Sequence, residues 1–225
     1  MKRLIKMSKK AVVILSGGMD STTLLYDVIN KGYEVIALSF DYGQKHSKEL
    51  QEARKTCDML KIFHKIVNLD VLNELAPSAL TRDNIDVPEG HYEGENMKVT
   101  VVPNRNMVML SLALSYAISE KATTVFYGAH AGDHAIYPDC RKSFVDAMKE
   151  VALLCDWSPV QIEAPYLNMD KGDIAIIGKD LGVLYQFTWT CYVEKEKACG
   201  KCGACQERLE AFEKAGMKDP IEYEE

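Results

Sequence analysis

Five apolar residues, Ala11-Val12-Val13-Ile14-Leu15, run unbroken into Ser16-Gly17-Gly18, and hydrophobic positions then recur at helical spacing. A run rich in β-branched residues and closed by glycines reads as a strand buried on both faces of a parallel sheet. The helical pattern covers residues 21–31 and stops at Gly32, and residues 33–40 form a second apolar run. Strand, helix and strand at this spacing make a right-handed βαβ unit. The alternation continues with a helix over 47–60, a strand over 62–67, a short helix within 68–76 and an apolar helix over 107–119. A strand over 123–128, a helix over 144–155, a strand over 160–164 and a helix from Asp170 follow. This order predicts an α/β fold: a doubly wound, mostly parallel five-stranded sheet with helices on both faces.

Residues 77–100 break the alternation. Pro77, Pro88, Gly90 and Gly94 stand among acids with little apolar periodicity, so a mobile active-site flap is expected there. Pro103 and Asn104 mark the start of the apolar helix, with Asn104 as its expected cap. Asp20 or Ser21 is expected to cap the first helix. The pattern divides the chain into a nucleotide domain at 11–184 and a small C-terminal unit at 185–219.

Composition narrows the class. The 225 residues are 47% hydrophobic and 27% charged, as in a soluble globular protein. No apolar run approaches membrane-spanning length, and the basic start, Met1 to Lys10, lacks the apolar region of a leader and reads as a frayed extension. A cytoplasmic protein is expected. The net charge of −6 argues against a nucleic-acid partner, which demands clustered Lys and Arg.

The chemistry begins where the first strand ends. Gly17 and Gly18 permit a sharp turn, and the first N–H groups of the following helix have no partner within it. Phosphate is the natural occupant of such a helix start, although an ordinary strand-to-helix turn would use the same residues. The loop is no Walker sequence, which needs Lys after its second glycine. It resembles the pyrophosphate loop of the N-type ATP pyrophosphatases, which cleave ATP between the α and β phosphates and place AMP on a carbonyl oxygen.

Ligands in open parallel sheets sit at the C-terminal strand ends. Lys45 and His46 leave the second strand there and could face an anion. Arg105 stands at a helix start. The segment 129–141 leaves the fourth strand carrying His130, Asp133, His134, Tyr137, Asp139, Cys140 and Arg141, and is dense enough in polar chemistry to be a substrate site. A metal on His130 and His134 is the weaker alternative, since no glutamate-based zinc-protease pattern accompanies them. Lys171 in a helical first turn opposes the helix dipole unless an anion is present. His64 within a strand reads as structural, and Cys57 as packing.

Cys191, Cys199, Cys202 and Cys205 read C-x7-C-x2-C-x2-C, with Gly200 and Gly203 easing the turns. Four thiolates this close match a closed tetrahedral zinc site better than a redox pair. The small C-terminal unit is therefore expected to be a four-cysteine zinc-binding subdomain.

Together the Ser-Gly-Gly-Met-Asp-Ser loop, Tyr42-Gly-Gln-Lys-His, Val102-Pro-Asn-Arg-Asn, Tyr137-Pro-Asp-Cys-Arg141, the Lys171 helix start and the four cysteines resemble, in that order, the 7-cyano-7-deazaguanine synthase family. The resemblance spans about 11–209. It implies ATP-dependent conversion of 7-carboxy-7-deazaguanine and ammonia to the nitrile, on the route to queuosine or archaeosine, by a homodimer. It further implies that Leu15, Ser16, Gly17, Gly18, Met19, Asp20, Ser21, Thr22, Thr23, Leu24 and Leu25 form the ATP segment, with Mg²⁺ bridging phosphate oxygens. Asp20, Arg105 and Lys171 would serve catalysis, Arg105 and Lys171 by stabilising departing pyrophosphate. Asp133, Tyr137, Asp139 and Arg141 would meet the base, and Cys191, Cys199, Cys202 and Cys205 would hold one Zn²⁺. The rivals are another adenylating enzyme, such as a tRNA thiolase, and a non-catalytic zinc-stabilised nucleotide- or RNA-binding module.

Overall fold

The first strand, β1 (Lys10–Ile14), is hydrogen-bonded on both sides, to β2 (Glu34–Asp41) and to β4 (Thr124–Phe126). In the computed structural model, which describes residues 9–44, 47–81, 95–193 and 196–224, β3 (Phe63–Asn68) and β5 (Gln161–Glu163) complete the sheet in the order β3-β2-β1-β4-β5. Every pairing is parallel. The five predicted strands and the doubly wound order are present, with ends shifted by one or two residues. Lys45, His46, residues 82–94 of the expected flap and residues 1–8 lie outside the described residues. Lys10, expected in a frayed extension, instead opens β1 and pairs with Glu120 at 2.8 Å.

Seven α-helices follow in the described chain: α1 (Met19–Asn30), α2 (Ser47–Leu60), α3 (Asp70–Leu75), α4 (Arg105–Ser119), α5 (Lys142–Leu153), α6 (Lys171–Asp180) and α7 (Gly203–Lys214). Successive strand residues point to opposite faces. Val12 accordingly joins Leu110, Leu114 and Val145 from α4 and α5, while Ala11, Val13 and Leu15 join Leu24, Leu25, Ala53 and Ile174 from α1, α2 and α6. Both faces are covered, which is why the strand carries no polar alternation. His64 sits on the edge strand β3 and shares a 2.7 Å hydrogen bond with Ser39, and Cys57 is fully buried in packing.

A third apolar cluster binds the C-terminal region to the sheet domain. Ala211 and Phe212 of α7 pack with Met19 of α1 and Ala175 of α6. The knot of cysteines that begins α7 is thereby held beside the start of α1.

Two expected caps differ. α1 begins at Met19, earlier than the pattern suggested, so Asp20 and Ser21 fall inside its first turn and Gly18 is the N-cap, with no side-chain cap. Asn104 occupies the N-cap of α4 but in the left-handed region (φ 60°), where its side chain makes no capping bond. Asp139 supplies that cap from a distant turn: its Oδ2 accepts from the Asn106 N–H at 2.9 Å.

Candidate active site and metal centre

β1 and β4 are neighbours whose following connections leave in opposite directions, and the crevice between their C-terminal ends is where such sheets bind ligands. The 16–21 loop forms its floor. Ser21 Oγ accepts from the Ser16 N–H at 3.1 Å and lies 3.0 Å from Ser16 Oγ, while Ser16 Oγ accepts from the Gly18 N–H at 3.2 Å. The two hydroxyls shape the loop and leave the helix start uncapped, ready for an anion. Gly17 adopts φ 97°, and a Cβ there would lie 1.9 Å from the Glu49 carbonyl oxygen of α2. The loop is thus pressed backbone to backbone onto α2.

Above the floor the cavity has an apolar end and a charged end. Ile14, Phe40, Leu80, Met109 and Leu110 line the former; Asp20, Asp133, His130 and Lys171 line the latter, with Tyr42 and Arg105 on the wall between α4 and β2. Apolar walls beside a helix start with no side-chain cap suit a planar base joined to a chain of phosphates.

Lys171 is 2.6 Å from Glu207 and 3.4 Å from Asp20. Burial favours its neutral form, but the carboxylates of Asp20, Glu207 and Asp133 outweigh this and raise its pKa, so the ammonium persists. Arg105 donates to Tyr42 Oη at 3.2 Å and likewise stays charged despite burial. Glu49 is pushed the other way: desolvation raises its carboxyl to about 8, although Arg105 and Lys171 oppose this. Cys140 accepts from Asn106 Nδ2 at 3.2 Å, and burial lifts its thiol above the ordinary range. Asp20 Oδ1 and Thr22 Oγ1 are buried without a hydrogen-bond partner. Such hard oxygens fit a cation brought in with phosphates.

The expected site residues divide into three groups. Leu15, Ser16, Gly18, Asp20, Ser21, Arg105, Asp133, Tyr137 and Lys171 converge on the cavity. Met19, Thr22, Thr23, Leu24 and Leu25 are buried behind it; Thr23 Oγ1 meets Tyr185 Oη at 2.8 Å. Gly17 faces α2, Asp139 caps α4, and Arg141 lies on the exposed side, where its Nε donates to the His134 carbonyl at 2.8 Å. Tyr137 shares a 3.0 Å hydrogen bond with Thr100. Sequence reasoning missed Tyr42, Glu49, Tyr127 and Glu207. Tyr42 and Glu49 flank the Lys45-His46 pair that drew attention; Tyr127 ends a strand and Glu207 lies in a helix, and nothing local marks either.

The sulfurs of Cys191, Cys199, Cys202 and Cys205 all lie within 4.8 Å of one another. Tetrahedral zinc thiolate sites with bonds of about 2.3 Å place sulfurs about 3.8 Å apart, and Cys199 Sγ is 3.9 Å from Cys205 Sγ. The N–H groups of Lys201 and Cys202 donate to Cys199 Sγ, and those of Val193 and Cys199 to Cys191 Sγ. Hydrogen bonds from Cys191 and Cys205 hold the Cys202 thiol below its ordinary pKa. Four convergent sulfurs, three of them buried, could hold a thiophilic metal, and among the described residues this is the one such metal-competent cluster.

A glycine loop at the switch point of a doubly wound parallel sheet, with a lysine and an arginine lining the same crevice, makes a site of the kind that takes an anionic ligand. The sequence model of the family described as "Queuosine biosynthesis protein QueC" matches residues 10–216. The chain belongs to this family, that of the 7-cyano-7-deazaguanine synthases. It is 66% identical over 215 residues to the 7-cyano-7-deazaguanine synthase of Caldicellulosiruptor saccharolyticus, covering 96% of each chain. Identity to the enzyme of that name from Methanoregula boonei is also 66% over 215 residues, covering 96% of this chain and 99% of the relative. A solved NMN synthetase from Francisella tularensis superposes with a TM-score of 0.54 at 15% identity, covering 94% of this chain and 78% of that one, a likeness of fold alone. No described helix is long and apolar enough to cross a membrane.

Proposed function

We propose that the chain converts 7-carboxy-7-deazaguanine and ammonia to 7-cyano-7-deazaguanine at the expense of ATP. A carboxylate resists attack because oxide would have to leave. Its oxygen first displaces pyrophosphate from the α-phosphorus of ATP, giving a mixed anhydride with AMP. Ammonia adds to that carbon, loses a proton and expels AMP, leaving the amide. The amide oxygen takes a second adenylyl group from ATP, displacing pyrophosphate, and loss of AMP and both N–H protons leaves the nitrile. Little covalent work falls to the protein, so positioning and charge stabilisation carry the catalysis.

In this reading Ser16, Gly18, Asp20 and Ser21 face the polyphosphate, while Gly17 and Thr22, behind them, fix the turn. Arg105 and Lys171 stabilise the departing pyrophosphate, and Mg²⁺ accompanies the nucleotide beside Asp20. Asp133 and Tyr137, lining the cavity, address the deazaguanine, with Asp139 and Arg141 fixing the loop that carries them. Zn²⁺ is the metal proposed for the four cysteines and supplies a structural crosslink. Residues 11–184 form the nucleotide domain and 185–219 the zinc-bearing unit. A cytoplasmic homodimer acting on small molecules rather than nucleic acid completes the proposal, in keeping with the net charge of −6.

The observation that carries this reading is that Arg105 and Lys171 line one cavity together with Gly18 and Asp20 at the uncapped start of α1. Incubation with ATP, ammonium and 7-carboxy-7-deazaguanine, read by mass spectrometry, tests it. The nitrile should appear with AMP and pyrophosphate. ADP with phosphate, or nucleotide turnover without nitrile, would refute it.

A further inference from the structure

The contact between Lys171 and Glu207 joins two regions far apart in the chain. Lys171 begins α6 under the nucleotide cavity; Glu207 belongs to α7, whose N-cap is Cys202 and whose first turn holds Cys205. Glu207 Oε2 accepts from Lys171 Nζ at 2.6 Å, with the two side chains only 15% and 7% exposed. The other carboxylate oxygen is seated against Gly132, where an added Cβ would lie 2.6 Å from Oε1. The acid is therefore held between the lysine ahead and the bare backbone of the 131–134 turn beside it.

A buried ammonium needs counter-charge in every state of the enzyme. Without nucleotide, Glu207 at hydrogen-bond distance, with Asp20 and Asp133, supplies it. We propose that Glu207 is a positioning residue that stands in for a phosphate oxygen on Lys171, yields the lysine when polyphosphate arrives, and reclaims it to help expel pyrophosphate. This rests on the assignment of Lys171 to the phosphates. Ligand and carboxylate compete for one cation, so the apparent affinity for pyrophosphate is set by the fraction of molecules in which Lys171 is released.

A merely structural ion pair predicts that its removal weakens everything. Competition predicts the opposite for one ligand. In metal-replete, folded E207Q, inorganic pyrophosphate should inhibit about tenfold more tightly than in the parent. The KM for ATP should fall with it, and kcat should fall as product lingers. G132A, which crowds Oε1 without altering α7, should tighten pyrophosphate in the same direction, and it carries the test alone if E207Q does not fold. K171Q separates the two levels of the claim. If K171Q leaves pyrophosphate inhibition unchanged, the phosphate role of Lys171 fails and this inference with it. If K171Q weakens inhibition but folded E207Q, or G132A in its place, binds pyrophosphate no tighter than the parent, the stand-in role alone is overturned.

Discussion

Arg208 and Asp219 form a two-point clasp in the interior: Nε donates to Oδ2 at 2.7 Å and Nη2 to Oδ1 at 3.0 Å, with Arg208 wholly shielded from solvent. Thr188 and Thr190 accept from Nη1, the Tyr185 carbonyl accepts from Nη2, and Tyr223 Oη donates to Asp219 at 2.6 Å. The clasp ties α7 to the last residues of the described chain. Removing one partner strands a buried charge, so Asp219→Ala or Arg208→Ala should lower stability by about 3–5 kcal/mol. Arg208→Lys should also destabilise, because an ammonium cannot make the forked contact. Denaturant titration checks all three.

Gly17→Ala should abolish nucleotide binding. The residue sits at φ 97°, and its new methyl would fall on the Glu49 carbonyl 1.9 Å away. The left-handed strain alone costs about 1–3 kcal/mol, and the contact with backbone has no side chain that can give way. Calorimetric titration with ATP, beside a melting curve, should show binding lost and Tm lowered.

Ser16→Ala and Arg105→Ala should each reduce kcat by about 10²–10³, the usual loss when a donor to developing charge is removed. Steady-state nitrile formation measures this. Parental turnover in both variants would exclude them from the mechanism.

The metal proposed for the four cysteines should be required for the fold of the C-terminal unit, so that removing it unfolds this unit and activity falls as a consequence. Four-thiolate binding is worth roughly 10–16 kcal/mol in peptides, comparable to the ~5–15 kcal/mol stability of a whole domain. A strong chelator, or Cys199→Ser, should therefore add an early melting transition. An unchanged melt after proven metal loss would contradict this.

Glu49 gives stability a definite pH slope. Its folded carboxyl is raised from 4.5 to about 8 by burial. Between those values the unfolded chain has released the proton and the folded chain retains it, so stability falls as pH rises through the window and levels off above it. Glu49→Gln should remove this component. Urea midpoints from pH 5 to 9 should decline less steeply in the variant than in the parent.

The five strands, the alternating helices and the four-cysteine knot were legible from linear pattern alone. A strand covered on both faces must be apolar throughout, as 11–15 is, and four cysteines spaced C-x7-C-x2-C-x2-C are near one another along the chain before they are near in space. The glycine loop was equally plain, since a tight turn and a helix start are local. Capping was not: Asp139, 33 residues from Asn106, supplies what Asn104 was expected to give. Nor could the charge balance of the cavity be read along the chain. Lys171 reaches Glu207 across 36 residues, and the 2.6 Å contact exists because Phe212 and Ala211 dock α7 against α1 and α6. Local periodicity specifies which faces must be buried; only packing decides which distant charges are buried together.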